Sequence, residues 1–178
     1  MGSLIGVYFI MNIFYLDKDP SKAAQQHCDK HVVKMILESA QMLCTAHRQL
    51  DGDTYADTHS LYKNAMINHP STKWVRSGNM NYRYLYDLFV SLCDEYTFRY
   101  GKTHKTDSKL RVPLAKTPTN IPLGEFIDPP QCMPDNCKQD STIDAYKLYY
   151  VEEKKDFAKW TKRPTPMWFI EGLRFYAT

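Results

Sequence analysis

The sequence predicts one all-α domain of three principal helices, with a long ordered loop and a short extended segment near its N-terminal side. Three observations carry that reading. A capped helix start at residues 19–20 is followed by no glycine or proline until Gly52. A second periodic segment spans residues 79–100 and ends at Gly101. Six of the ten prolines then fall within residues 102–138, where sustained periodicity is lost. At 178 residues the chain is long enough to bury a substantial core as one domain, residues 1–178.

The opening "MGSLIGVYFIMNIFYLD" is apolar from Leu4 to Leu16, apart from Gly6 and Asn12. It lacks a basic n-region and a cleavage site, and it is too short to span a bilayer. Met11 is a plausible internal start, which would make residues 1–10 an upstream or non-native extension. Residues 12–16 are read as an extended piece entering the core. In "LDKDPSKAAQQ", Asp19 is the N-cap and Pro20 the first helical residue. One helix of roughly seven or eight turns is expected from there. Most of its circumference is apolar, from Cys28, Val32, Val33, Met35, Ile36, Leu37, Ala40, Met42, Leu43 and Cys44. A narrow polar stripe holds His27, Lys30, His31, Lys34, Glu38, Gln41 and Thr45, so the helix should be packed on most sides with the stripe on a groove.

"HPSTKWVR" reads as a turn and a short helix started by Pro70. The second long helix, residues 79–100, has Leu85, Leu88, Phe89, Leu92, Cys93 and Tyr96 as its core face. Residues 102–138 are expected to be loop, and a loop of that length in a compact domain is more often functional than idle. The last helix should start near Ser141, with Ile143, Tyr146, Tyr150 and Phe157 on one face. "TKRPTPMWF" follows as a basic, proline-interrupted aromatic segment.

Composition narrows the function classes. An aromatic share of 13% with a net charge of +3 suits, without requiring, a surface that holds phosphates and stacks bases. Five cysteines without a disulfide framework suggest a reduced, intracellular, cytoplasmic setting. The sequence has no Gly-rich phosphate loop, nucleophile elbow or EF-hand, so nucleotide triphosphate chemistry and serine hydrolysis lack support.

Three constellations remain. His27, His31, Lys34 and Glu38 follow at intervals of four, three and four, which stacks them on one helical face. Histidine titrates near neutrality, Glu38 can act as acid or base, and a desolvated Lys34 would be a nucleophilic amine. The bland alternative is a solvated face with one Lys34–Glu38 pair. Asp29 points into the apolar arc, where it is simply exposed, orients a histidine, or meets a cation from another element. An alternative is a zinc site from His27 and His31 with Cys132 and Cys137. Finally, "RYGKTHKTDSKLR" offers Lys102, His104, Lys105, Lys109 and Arg111, and "KKDFAKWTKRPTPMWF" offers Lys162, Arg163 and Trp168. With Lys30, His69, Arg76 and Tyr82 these are the candidate DNA contacts, set against solvated charge beside core aromatics.

The order of "AAQQHCDKHVVKM", "NYRYLYDLFVSLCDEYTFRYGKTHKT" and "FAKWTKRPTPMWF" resembles the pyrimidine-dimer DNA glycosylases, the small all-α phage endonuclease V-like repair enzymes. The chain also resembles proteins of tailed phages. The likeness covers about two-thirds of the chain, and residues 109–140 have no clear counterpart in the family. It implies attack of an amine on C1′ of a damaged or modified nucleotide, departure of the base, an imine, and β-elimination that nicks the strand. Family members use the α-amine of an N-terminal threonine, assisted by a first-helix glutamate. This sequence has no such threonine, and in the register set by His27 the glutamate position holds Lys34. The resemblance therefore gives a DNA glycosylase/AP lyase acting without a cofactor, with DNA as partner and no membrane. Joined to the reading of the stripe, it makes Lys34 the residue that takes over the amine's role, Glu38 and Asp29 the candidate carboxylates, and His27 and His31 proton shuttles or phosphate contacts. A non-catalytic phage protein binding nucleic acid or a host factor, and a zinc nuclease or hydrolase, are the alternatives.

Overall fold

A computed structural model describes residues 11–176, and the side chains of residues 11–175. The suggested extension, residues 1–10, lies outside the described residues. The architecture is a single all-α domain. Its helices are α1 (Pro20–Gln26), α2 (Asp29–Asp51), α3 (Thr54–Thr58), α4 (Pro70–Arg76), α5 (Asn79–Tyr100), α6 (Lys105–Leu114), α7 (Thr142–Tyr149) and α8 (Met167–Tyr176). A 3-10 turn, Asp135–Cys137, precedes α7 and a π-helical turn, Tyr150–Lys154, follows it.

Residues 12–16 enter the core, with Ile13 and Leu16 almost fully buried, but the chain is not extended throughout: the Leu16 N–H donates to the Phe14 carbonyl in a tight three-residue turn. The expected caps are present: Asp19 accepts from the Ser21 N–H, and Ser141 accepts from the Asp144 N–H. Helix α5 has the expected bounds, and its left-handed terminator Gly101 has φ 68°. Helix α2 is the central member, packed along α5 and α4, while α1 also lies on α5.

The single first helix is corrected to two. His27 and Cys28 turn extended, with ψ of 135° and 161°. Tertiary partners take the backbone groups that would have continued the helix. Asp29 N–H donates to the Lys159 carbonyl, Cys28 N–H to the Tyr150 hydroxyl, and Trp160 and Arg99 donate to the Gln26 and Gln25 carbonyls. Val33 and Leu37, expected in the core, are exposed at 39% and 42%.

The long loop is also shorter than expected, because residues 105–114 form α6. His104 caps it by accepting from the Thr106 N–H, Asp107 pairs with Arg111, and Leu110 and Leu114 are buried. Burial of that apolar pair outweighs Pro113, which sits in the last turn. The segment from 115 to 134 is pinned by side chains of the helices. Asp51 accepts from the Thr119 and Asn120 N–H groups, Trp74 donates to the Ile127 carbonyl, and Tyr146 to that of Pro130. The closing aromatic segment ends in a helix, α8, which was not expected.

Candidate active site

The break before α2 changes the stripe. His27 leaves it, fully buried beneath the chain, and His31, Lys34 and Glu38 remain on one side of α2. Nδ1–H of His27 donates to the Ala23 carbonyl at 2.6 Å, and its Nε2 is buried with no hydrogen-bond partner. Burial pushes His27 down to about 4, so it is neutral at pH 7.

His31 is also buried, stacked on Phe14 with ring centroids 4.2 Å apart and edge-on to Phe157. Its Nδ1 bonds to the Tyr150 hydroxyl at 2.6 Å. Burial first, then the charges of Lys154, Lys34 and Lys30, hold this imidazole well below its usual range. Glu38, one turn beyond Lys34, is 8% exposed. Burial pushes its carboxyl up to about 7, against the opposing pull of Lys34, the Asn12 backbone and Lys154. Lys34 Nζ lies 3.7 Å from Glu38 Oε1, with the lysine side chain 56% exposed. The desolvation expected of Lys34 is therefore not found. Its stem projects from the open strip of α2 instead, which carries Lys30, Val33, Lys34 and Leu37.

The half-buried amine is Lys154, which sequence reading missed. It ends the π-helical turn, 4.6 Å from the centroid of the Tyr149 ring. Burial, then Lys34 and Lys30, lower its pKa, partly opposed by Glu153. "YYVEEKK" carries no local mark of that turn, and π turns of this sort often occur at functional sites.

Asp29 meets a cation from another element. Its Oδ1 lies 2.9 Å from Arg99 Nη1 and accepts from the Thr161 N–H, while its Oδ2 accepts from the Thr161 hydroxyl. Burial alone would raise its pKa, but Thr161 and Arg99 hold it below the ordinary carboxylate value. Arg99 also pairs with Glu95 at 2.9 Å, and Glu95 receives two bonds from Arg163. Asp29, Arg99 and Arg163 thus belong to a closed charge network that ties α2, α5 and the chain before α8.

The remaining candidate contacts are dispersed. Tyr82 lies in the core, donating to the Leu114 carbonyl and meeting His47 Nε2 at 3.0 Å. His69 caps α4 by accepting from the Ser71 N–H, and Arg76 has a buried Nη1 without a hydrogen-bond partner. Lys102 and Lys105 are exposed around His104, Lys109 covers the Tyr62 ring, and Arg111 is paired with Asp94 and Asp107. Lys162 reaches the Phe98 carbonyl, and Trp168 donates to the Gln26 side chain at 2.7 Å. The zinc alternative loses its geometry: among the described residues no three His, Cys, Asp or Glu side chains cluster for a metal. Cys132 contacts Ser71 instead, and His31 contacts Tyr150.

The sequence model of the family described as pyrimidine dimer DNA glycosylase matches residues 11–108. The match runs from Met11 into α6 and includes Lys34 and Glu38, whereas Lys154 lies beyond it. No curated protein and no solved structure matches the chain.

Proposed function

The chain belongs to the pyrimidine dimer DNA glycosylase family, a family of DNA-repair enzymes, and on that premise we propose a glycosylase/AP lyase that works through an amine. The observation that carries the reading is the Lys34–Glu38 pair. An accessible amine lies 3.7 Å from a carboxyl held at about 7, a value suited to taking and returning a proton at neutral pH. Lys34 loses a proton to Glu38 and attacks C1′ of a nucleotide extruded onto the open strip of α2. The glycosidic bond breaks and the base leaves with a proton returned by the carboxyl. Transfer of an N–H proton to O4′ accompanies cleavage of the C1′–O4′ bond and opens the sugar to the protonated imine; removal of a C2′ proton then breaks the C3′–O3′ bond and the 3′-phosphate departs. His31, neutral at pH 7 and fixed by Phe14 and Tyr150, is a hydrogen-bonding wall of the site rather than a cation.

The test is borohydride trapping on a duplex with an abasic site, followed by peptide mapping. Wild-type protein should give a covalent complex mapped to Lys34 and missing in Lys34→Ala. The absence of any complex from the wild type would remove the imine reading. A second reading rests on one specific observation: the family match starts at Met11, and the Asn12 backbone leans on the Glu38 carboxyl. In a chain beginning at Met11 the terminal amine would lie beside that carboxyl. Mapping of the complex to Met11 in a 11–178 chain would establish it and unseat Lys34.

A further inference from the structure

Beside the Lys34–Glu38 pair, two more ammonium groups share an aromatic ledge. Lys30 Nζ lies 4.5 Å from the Phe157 ring centroid, and Lys154 Nζ lies 6.0 Å from the same centroid and 4.6 Å from that of Tyr149. Among the described residues neither makes an ion pair, whereas Lys34 has Glu38. Solvated lysines ordinarily spread apart or find carboxylates. Here a ring from the end of α7 and one from the segment after the π turn hold two cations on the side of α2 where Lys34 emerges.

From this juxtaposition we infer that Lys30 and Lys154 form a seat for one backbone phosphodiester of the bound DNA, adjacent to the nucleotide that Lys34 attacks. The inference rests on the proposed function for the identity of that nucleotide. The seat itself follows from two unpaired cations over one ring. A phosphate presents two non-bridging oxygens, one for each ammonium, and its charge relieves the repulsion between them. Lys154 is better suited to this than to imine formation, because among the described residues no carboxyl lies at ion-pair distance from it, as Glu38 does from Lys34. Exposed Val33 and Leu37 on the same strip supply apolar surface beside the seat. A phosphate held there on the 3′ side is the group expelled by β-elimination, so the two ammoniums would also stabilise the departing anion.

Binding is measured by fluorescence anisotropy on a duplex carrying a tetrahydrofuran abasic analogue, which cannot form an imine. Lys154→Ala should weaken binding roughly tenfold, the cost of one charge-assisted contact. It should also lower the slope of log K against log salt by about one. Lys154→Arg should restore most of both, which separates lost charge from a damaged fold. An unchanged affinity and slope in Lys154→Ala would overturn the seat, as would a wild type that does not bind the duplex. Trapping on a true abasic duplex is scored separately. A wild type that shows the Lys154-dependent slope but never traps retains the seat and loses the imine chemistry. One that traps with full yield while Lys154 leaves the slope untouched does the reverse.

Discussion

Two clusters of charge flank the start of α2, and they are completed in opposite ways. On one side Asp29, Glu95, Arg99 and Arg163 are bonded to one another, with Arg99 fully buried and its remaining bond given to the Gln25 carbonyl. On the other side Lys30, Lys34 and Lys154 gather around one ion pair, Lys34–Glu38, whose carboxyl is itself held near half-protonation at neutral pH. The first cluster balances two carboxylates against two guanidiniums, and its removal should be felt by the fold. The second has cations in excess beside the open strip of α2, and its removal should be felt by substrate.

The comparison can be broken most severely at Arg99. Arg99→Ala leaves two partly or wholly buried carboxylates without their shared partner and should cost about 3–5 kcal/mol in urea denaturation. A loss below about 1 kcal/mol would mean that the network is not structural. The next effect, of opposite sign, is at Glu38. Its folded carboxyl is raised from the ordinary 4.5 to about 7, so the native state binds a proton that the unfolded chain releases. The associated stability is whole below about pH 4.5 and lost as pH rises through 7. Glu38→Gln should therefore be more stable than wild type at pH 8, by up to about 3 kcal/mol, and gain nothing at pH 4. Parallel pH–stability curves for the two proteins would contradict this.

A subtler sharpening comes from His27. Its imidazole is depressed from 6.5 to about 4, so its contribution is present above pH 6.5 and lost as pH falls through 4. Between those limits it opposes Glu38, and the wild-type acid limb should be shallow. Glu38→Gln should steepen that limb, read as melting temperature against pH. The smallest expected effect is that of Lys34→Ala on stability. The lysine is half exposed and its charge screened, so the loss should stay within about 1 kcal/mol while trapping disappears. A large thermal destabilisation there would move Lys34 to the structural side of the comparison.

Much of this fold was legible in the chain because its signals are local. Asp19 before Pro20, Ser141 at the start of α7 and Gly101 after Tyr100 act within a turn of their own positions, and the structure has each where it was expected. The Lys34–Glu38 pair was legible for the same reason, being separated by one helical turn. The sequence by itself thus determined the all-α class, the capped ends of the principal helices and the Lys34–Glu38 pair on α2. Only the tertiary structure decided that the first helix breaks at His27, where Tyr150, Lys159 and Trp160 capture its backbone groups from more than 120 residues away. It alone committed Asp29 to Arg99, folded α6 through Pro113, and brought Lys154 over Tyr149 beside the stripe. The physical reason is the reach of the forces: capping and periodicity act over one turn of helix, whereas burial and the pairing of backbone groups and charges depend on partners that only the packed chain brings together.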